Sequence, residues 1–140
     1  MPVTHHDPAH HQLVWDNDTR TQTVVIGPPD PEAAGWETAR DNDWACWIEL
    51  SGYAFGLTAD ATARLAQLVR AVDGGEQTHT LPAAPPDTNL TLVVGTGLHQ
   101  VVLRVGRDNS DTGCRADIPA PDCPVIASLL DQLAHQEHEA

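Results

Sequence analysis

Two cysteines and two histidines near the C-terminus are the residues whose types best suit a metal site. Cys114, Cys123, His135 and His138 carry side chains that zinc binds, in the spacing C-x8-C-x11-H-x2-H. Structural zinc sites usually hold their cysteines about two to four residues apart, so this spacing does not favour one. The histidine-rich residues 1–11 would hold a transition metal only weakly. We therefore expect no metal or other cofactor.

Three Asp-Asn loops, at residues 16–18, 41–43 and 108–111, each hold two aspartates close together. Clustered carboxylates can bind calcium, but none of these loops has the D-x-D-x-D-G register of a calcium loop with its closing glutamate. Aspartate and asparagine also form turns by bonding to nearby backbone groups. Turn formation is the interpretation that the sequence favours.

The sequence lacks the residue patterns of nucleophilic catalysis. Ser51-Gly52 does not have the G-x-S-x-G pattern, and His79 and His99 lie in predicted loops. A phosphate-binding loop needs glycines that lead into a helix, whereas Gly95-Thr96-Gly97 lies between two predicted strands. These observations favour a non-catalytic protein.

The tryptophans are the most informative candidates for binding. Trp15, Trp36, Trp44 and Trp47 all lie within the first 47 residues. Side-chain alternation along a strand predicts that Trp44 and Trp47 point to opposite faces of a sheet, so that at least one stays accessible. Because tryptophan is enriched at binding hot spots, Trp36, Trp44 and Trp47 are the candidate partner-binding residues.

The sequence predicts two amphipathic helices, which would pack on the strands that carry these residues. Leu57 to Val72 has apolar residues at helical spacing, with Thr58 as N-cap and Gly74-Gly75 as the stop. The same layout recurs in Ile118 to Leu133. Strand-like alternation precedes each segment. Trp44 to Leu50 forms a predicted strand before the first segment, and Leu90 to Val94 with Val101 to Val105 forms the clearest predicted hairpin before the second.

This layout predicts an α+β fold, in which an antiparallel sheet is built from two strand–helix halves and both helices pack on one face. The halves would span residues 12–73 and 89–136 of a single domain, residues 12–140, with a linker at 74–88. Residues 1–11 are expected to be a flexible tail. The three cysteines are expected to stay reduced.

The charge of the chain limits its partners. Its 140 residues include 20 acidic and 7 basic side chains, the latter all arginine, for a net charge of −13. This charge disfavours direct binding to nucleic acid or to anionic membranes. Arginine without lysine is typical of GC-rich genomes, such as those of actinobacteria and their phages. No segment approaches the ~20 apolar residues of a membrane span, so a cytoplasmic location is expected.

The sequence therefore favours a small acidic protein that binds another protein without catalysis, with homodimerisation as one form of that binding. One alternative is an inhibitor that mimics nucleic acid with an acidic surface. A second alternative is a ligand-binding protein or enzyme with a pocket lined by Trp15, Trp36 and Trp47. A flat apolar patch would favour the protein-binding function, an acidic stripe would favour the inhibitor, and a deep pocket would favour the ligand-binding protein or enzyme.

Overall fold

The fold is seen in a computed structural model. It describes residues 3–7, 12–17, 21–28, 44–51, 53–71, 77–82, 90–97, 99–107 and 110–135. In these residues, five strands precede a first helix, and four strands precede a second. The α+β class predicted from the sequence is confirmed. In the described part of the chain, neither helix is long and apolar enough to cross a bilayer.

The first five strands form one antiparallel sheet in chain order. They are β1 (Val3–Asp7), β2 (Gln12–Asp16), β3 (Thr23–Gly27), β4 (Trp44–Leu50) and β5 (Tyr53–Thr58). Alternate apolar side chains bury one face of this sheet, as period-two patterning requires. The buried residues of that inner face are Leu13, Trp15, Val24, Ile26, Cys46, Ile48, Leu50, Phe55 and Leu57.

The other four strands form a second antiparallel sheet. They are β6 (Gln77–Pro82), β7 (Leu90–Gly97), β8 (Gln100–Arg107) and β9 (Ser110–Pro119), again paired in chain order. The sheet predicted from the sequence is thus divided in two. The reason is local pairing: each strand pairs with its neighbour along the chain, and the first helix separates β5 from β6.

Helices α1 (Ala59–Arg70) and α2 (Cys123–His135) follow the two sheets. Thr58 caps α1 as predicted, since its hydroxyl accepts a hydrogen bond from the Ala61 amide at 3.3 Å. The amide of Ala71 bonds back to the carbonyl of Gln67, so α1 ends before the predicted glycine stop. Gly74-Gly75 lie outside the described residues.

The helices pack against each other and join the two sheets. α1 contacts β4 and β5 of the first sheet and β6 and β7 of the second, whereas α2 contacts β2 and β4. Their predicted apolar stripes are buried, and the buried side chains of both halves form one continuous cluster. The stripe residues in this cluster are Ala61, Leu65, Leu68 and Val69 of α1 and Ile126, Leu129, Leu130 and Leu133 of α2.

Two strands lie in segments that the sequence analysis left without structure. The flexible tail predicted for residues 1–11 is corrected for Val3–Asp7, which pair with β2. The linker predicted for residues 74–88 contains β6, which pairs with β7. Both are edge strands, and backbone hydrogen bonds hold such strands even where their side chains are polar.

Hydrogen bonds link the first sheet and its flanking residues to β9 and to the short 3-10 helix (Ala120–Asp122) that precedes α2. The side chain of Gln22 accepts from the Asp117 amide at 2.8 Å, and the Ser51 hydroxyl donates to the Arg115 carbonyl at 2.9 Å. The indole of Trp15, which is fully buried, donates to Asp122 Oδ2 at 3.0 Å.

Asp122→Ala is expected to lower the free energy of unfolding by roughly 1–3 kcal/mol, because it leaves the buried Trp15 N–H without its acceptor. Urea unfolding followed by circular dichroism measures the change. Glu49→Ala removes an exposed carboxylate and serves as the control. Equal midpoints for the two variants would show that the Trp15–Asp122 bond adds nothing to stability.

Candidate functional site

A β-bulge at Ala45 sets the positions of the two tryptophans in β4. Cys46 lies opposite Leu57 and Trp44 lies opposite Thr58, so Ala45 is an extra residue in the ladder. An extra residue reverses the side-chain alternation beyond it. Trp44 therefore shares a face with Trp47, and their ring centroids lie 5.3 Å apart with the planes tilted by 48°. The prediction that these rings point to opposite faces is wrong, because strict alternation ignores the bulge.

Gly56 makes room for the Trp44 ring. It lies on β5, opposite Trp47 in the register of the two strands. A Cβ built on Gly56 would overlap the Trp44 ring. The ring thus lies directly over the β5 backbone, a close approach that only glycine permits. Only 5% of the Trp44 surface is exposed to solvent.

Gly56→Ala is expected to lower the free energy of unfolding by about 1–3 kcal/mol, because the added methyl group overpacks the site. Gly95→Ala is the matched control in the second sheet, since a Cβ there meets Val102 at an ordinary 3.9 Å. Thermal unfolding of both variants measures the difference. If both unfold at the same temperature, the Trp44 ring is not fixed over Gly56.

The outer face of the first sheet carries two cross-strand rows of residues around Trp47, and we call it the tryptophan face. One row is Val14, Val25, Glu49 and Ala54, and the other is Gly27, Trp47 and Gly56. Val14, Val25 and Trp47 are half-buried, whereas Glu49 and Ala54 are exposed. The helices pack on the opposite face, where Cys46, Ile48 and Leu50 are buried.

Trp44 adds an unusual polar feature to the tryptophan face. Within the described residues, its indole nitrogen is the one buried side-chain nitrogen or oxygen without a hydrogen-bond partner. A buried donor of this kind costs about 1–3 kcal/mol. Such donors are rare in folded proteins, and each calls for a physical explanation.

Trp15 does not join this pair in the structure. Trp15 lies on the inner face of the same sheet, fully buried and bonded to Asp122. Trp15 and Trp47 are therefore on opposite faces, and the predicted pocket that included both is wrong in that respect. Trp36 lies outside the described residues.

The three cysteines are all free thiols, and Cys46 is the most deeply buried. Burial raises the pKa of the Cys46 thiol to about 12, although its hydrogen bonds with Thr62 and the Leu57 backbone oppose this. The thiolate is the reactive form of cysteine, so Cys46 is not a nucleophile near neutral pH. Its role is packing beneath α1.

The candidate metal ligands are not brought together in the described part of the chain. No group of three His, Cys, Asp or Glu side chains there could hold an ion, and His138 lies outside that part. In the loop at 16–18, Asn17 Oδ1 accepts from the amides of Thr21 and Gln22 at 2.9 and 3.1 Å. This is the turn-forming role that the sequence favoured. Residues 41–43, 108 and 109 are not described.

A second candidate site, which the sequence analysis missed, is a cleft on the outer face of the second sheet. We call it the arginine cleft; its volume is about 510 Å³, and its lining includes Thr78, Gly95, Val102, Arg104 and Arg115. The sequence of β8 does contain one indication of this face, because buried Val101, Leu103 and Val105 alternate with half-buried Val102 and Arg104. What the sequence could not supply was the register that brings Arg115 beside Arg104.

No protein-family model, curated protein or solved structure matches this chain.

Several described carboxylates are engaged inside the molecule. Asp16 accepts from Thr23, Asp117 pairs with Arg115, Asp122 accepts from Trp15, and Asp131 pairs with Arg70. The Arg70 guanidinium lowers the pKa of Asp131. These carboxylates lie on separate elements.

Proposed function

We propose that this protein binds another protein through the tryptophan face, and that its role is recognition rather than catalysis. The observation that supports the proposal is a half-buried indole, Trp47, among apolar side chains on the face opposite the helices. Free cysteines are consistent with a cytoplasmic location, which we propose as well.

Trp47 is suited to act as an anchor because its surroundings restrict its motion. The Trp44 ring packs beside it, and Gly27 and Gly56 flank it across the sheet. A side chain that is already ordered loses little entropy when a partner covers it. Aromatic anchors of this kind carry much of the binding energy in protein interfaces.

The charge around Trp47 indicates the chemistry of the partner. Glu49 is exposed and lies between Val25 and Ala54 in the neighbouring row. With a net charge of −13, the chain attracts cationic surfaces. A second copy of the chain would bring like charges together, because a two-fold interface places the same patch on both sides. The partner we propose is therefore a basic protein segment with an apolar anchor, and homodimerisation is the competing outcome.

The experiment is a selection from a library of displayed random peptides, with the wild-type protein as bait and Trp47→Ala for depletion. We expect enriched peptides to combine an aromatic or aliphatic residue with lysine or arginine. Val93→Ala, which trims a half-buried apolar residue on the outer face of the second sheet, is the matched control.

Two outcomes would contradict this proposal. Peptides that bind Trp47→Ala as tightly as wild type would exclude the tryptophan face as the binding surface. A wild-type dimer in solution that Trp47→Ala converts to monomer would assign the face to self-association instead. Sedimentation of both proteins at micromolar concentration makes that distinction.

A further inference from the structure

Two arginines lie side by side in the arginine cleft. Arg104 on β8 is directly opposite Arg115 on β9, and both line the cleft. The inward neighbours of Arg104 on β8, Leu103 and Val105, are buried, so the arginine belongs to the outer face. Like charges directly opposite each other destabilise a sheet. An anion held between them would remove that repulsion.

The two cations differ in their partners. Arg115 Nη2 lies 2.7 Å from Asp117 Oδ1, and within the described residues the other N–H groups of this guanidinium have no partner. Arg104 is half-buried, yet its guanidinium makes no hydrogen bond or ion pair within the described residues. The three side chains together carry a charge of +1, that is, two arginines and one aspartate. A single monoanion would neutralise the cluster.

The space beside the arginines suits a small organic molecule. A cleft of about 510 Å³ falls within the usual range of ligand pockets, roughly 300–1,000 Å³. Gly95 lies opposite Val102 and contributes no side chain, so the cleft is open above an apolar floor. Thr78 and Gln100 add polar side chains to its lining.

We propose that the arginine cleft binds a small monocarboxylic acid, with its carboxylate between the two guanidinium groups and its apolar part over Val102. Arginine is suited to this role because its planar fork donates two parallel hydrogen bonds to a carboxylate. A phosphate dianion would leave the cluster negative in a protein whose net charge is already −13. The site lies on the other sheet from the tryptophan face, and the two proposals are independent.

The test is a titration of the ¹⁵N-labelled full-length protein with sodium benzoate, and in parallel with inorganic phosphate at equal ionic strength. We expect benzoate to produce saturable amide shifts at Gly95, Val102 and Arg104, and phosphate to bind more weakly. Arg104→Gln is expected to weaken benzoate binding roughly tenfold to a hundredfold, since a hydrogen bond to a charged group is lost. Arg64→Gln removes an exposed arginine on α1 and should leave binding unchanged.

Gly95→Val provides a second variant that fills the cleft without removing charge. A Cβ at this position meets only ordinary contacts, and valine suits a strand, so the fold should persist while benzoate binding is lost. The proposal is overturned by benzoate shifts that do not saturate, by equal affinity in Arg104→Gln and wild type, or by phosphate binding tighter than benzoate.

Discussion

Leu129→Ala is expected to lower the free energy of unfolding by about 2–5 kcal/mol, since it removes a large side chain from a packed core. Leu129 is 2% exposed and belongs to the helix that packs along α1. Leu68 is its counterpart on α1 and is 5% exposed. Leu68→Ala is therefore expected to cost a similar amount.

Urea unfolding of each variant measures these costs, and Ser128→Ala is the matched control because Ser128 is exposed on the same helix. If Leu129→Ala or Leu68→Ala leaves the midpoint unchanged, the packing of α1 against α2 does not stabilise the fold. A cost confined to one of the two helices would mean that the halves of the chain contribute unequally.

Trp47→Ala is expected to weaken the binding of selected peptides by at least about thirtyfold, as the loss of a hot-spot tryptophan does. The variant should remain folded, with a stability loss of about 0.5–1.5 kcal/mol from the broken aromatic pair with Trp44. Trp44→Ala is expected to cost more stability, because Trp44 is only 5% exposed. Comparison of the two variants thus distinguishes Trp47, which we expect to contact the partner, from Trp44, which supports Trp47.

Isothermal titration with a selected peptide, alongside thermal unfolding, gives both quantities for Trp47→Ala. Val93→Ala is expected to bind like wild type. An unfolded Trp47→Ala protein would place Trp47 in the core, and an unchanged dissociation constant in a folded one would remove it from the interface.

The helices could be predicted from the sequence because the interactions that define them are local. The N-cap at Thr58 and the spacing of Leu65, Leu68 and Val69 depend only on residues within a few turns. The strand Trp44–Leu50 was likewise predicted with the bounds that the structure gives. The spacing of apolar residues is sufficient to predict a helix or a strand when one of its faces is buried.

The tryptophan pair could not be predicted, because its geometry depends on how β4 pairs with β5. The bulge at Ala45 is a property of two strands, and the reason for Gly56 appears only when the Trp44 ring is placed over it. The arginine cleft has the same origin, since the register of β8 and β9 brings its two cations together. A site whose residues lie on neighbouring strands cannot be predicted from the residue pattern of either strand alone.

Amide mapping by NMR examines the claim that the tryptophan face is the binding surface. A selected peptide is added to the ¹⁵N-labelled protein, and the shifted signals are placed on the structure. We predict that the largest changes occur at Val25, Ala54 and both the amide and indole N–H of Trp47. Changes concentrated in β7–β9 or in the helices, with the Trp47 indole signal unmoved, would contradict the claim.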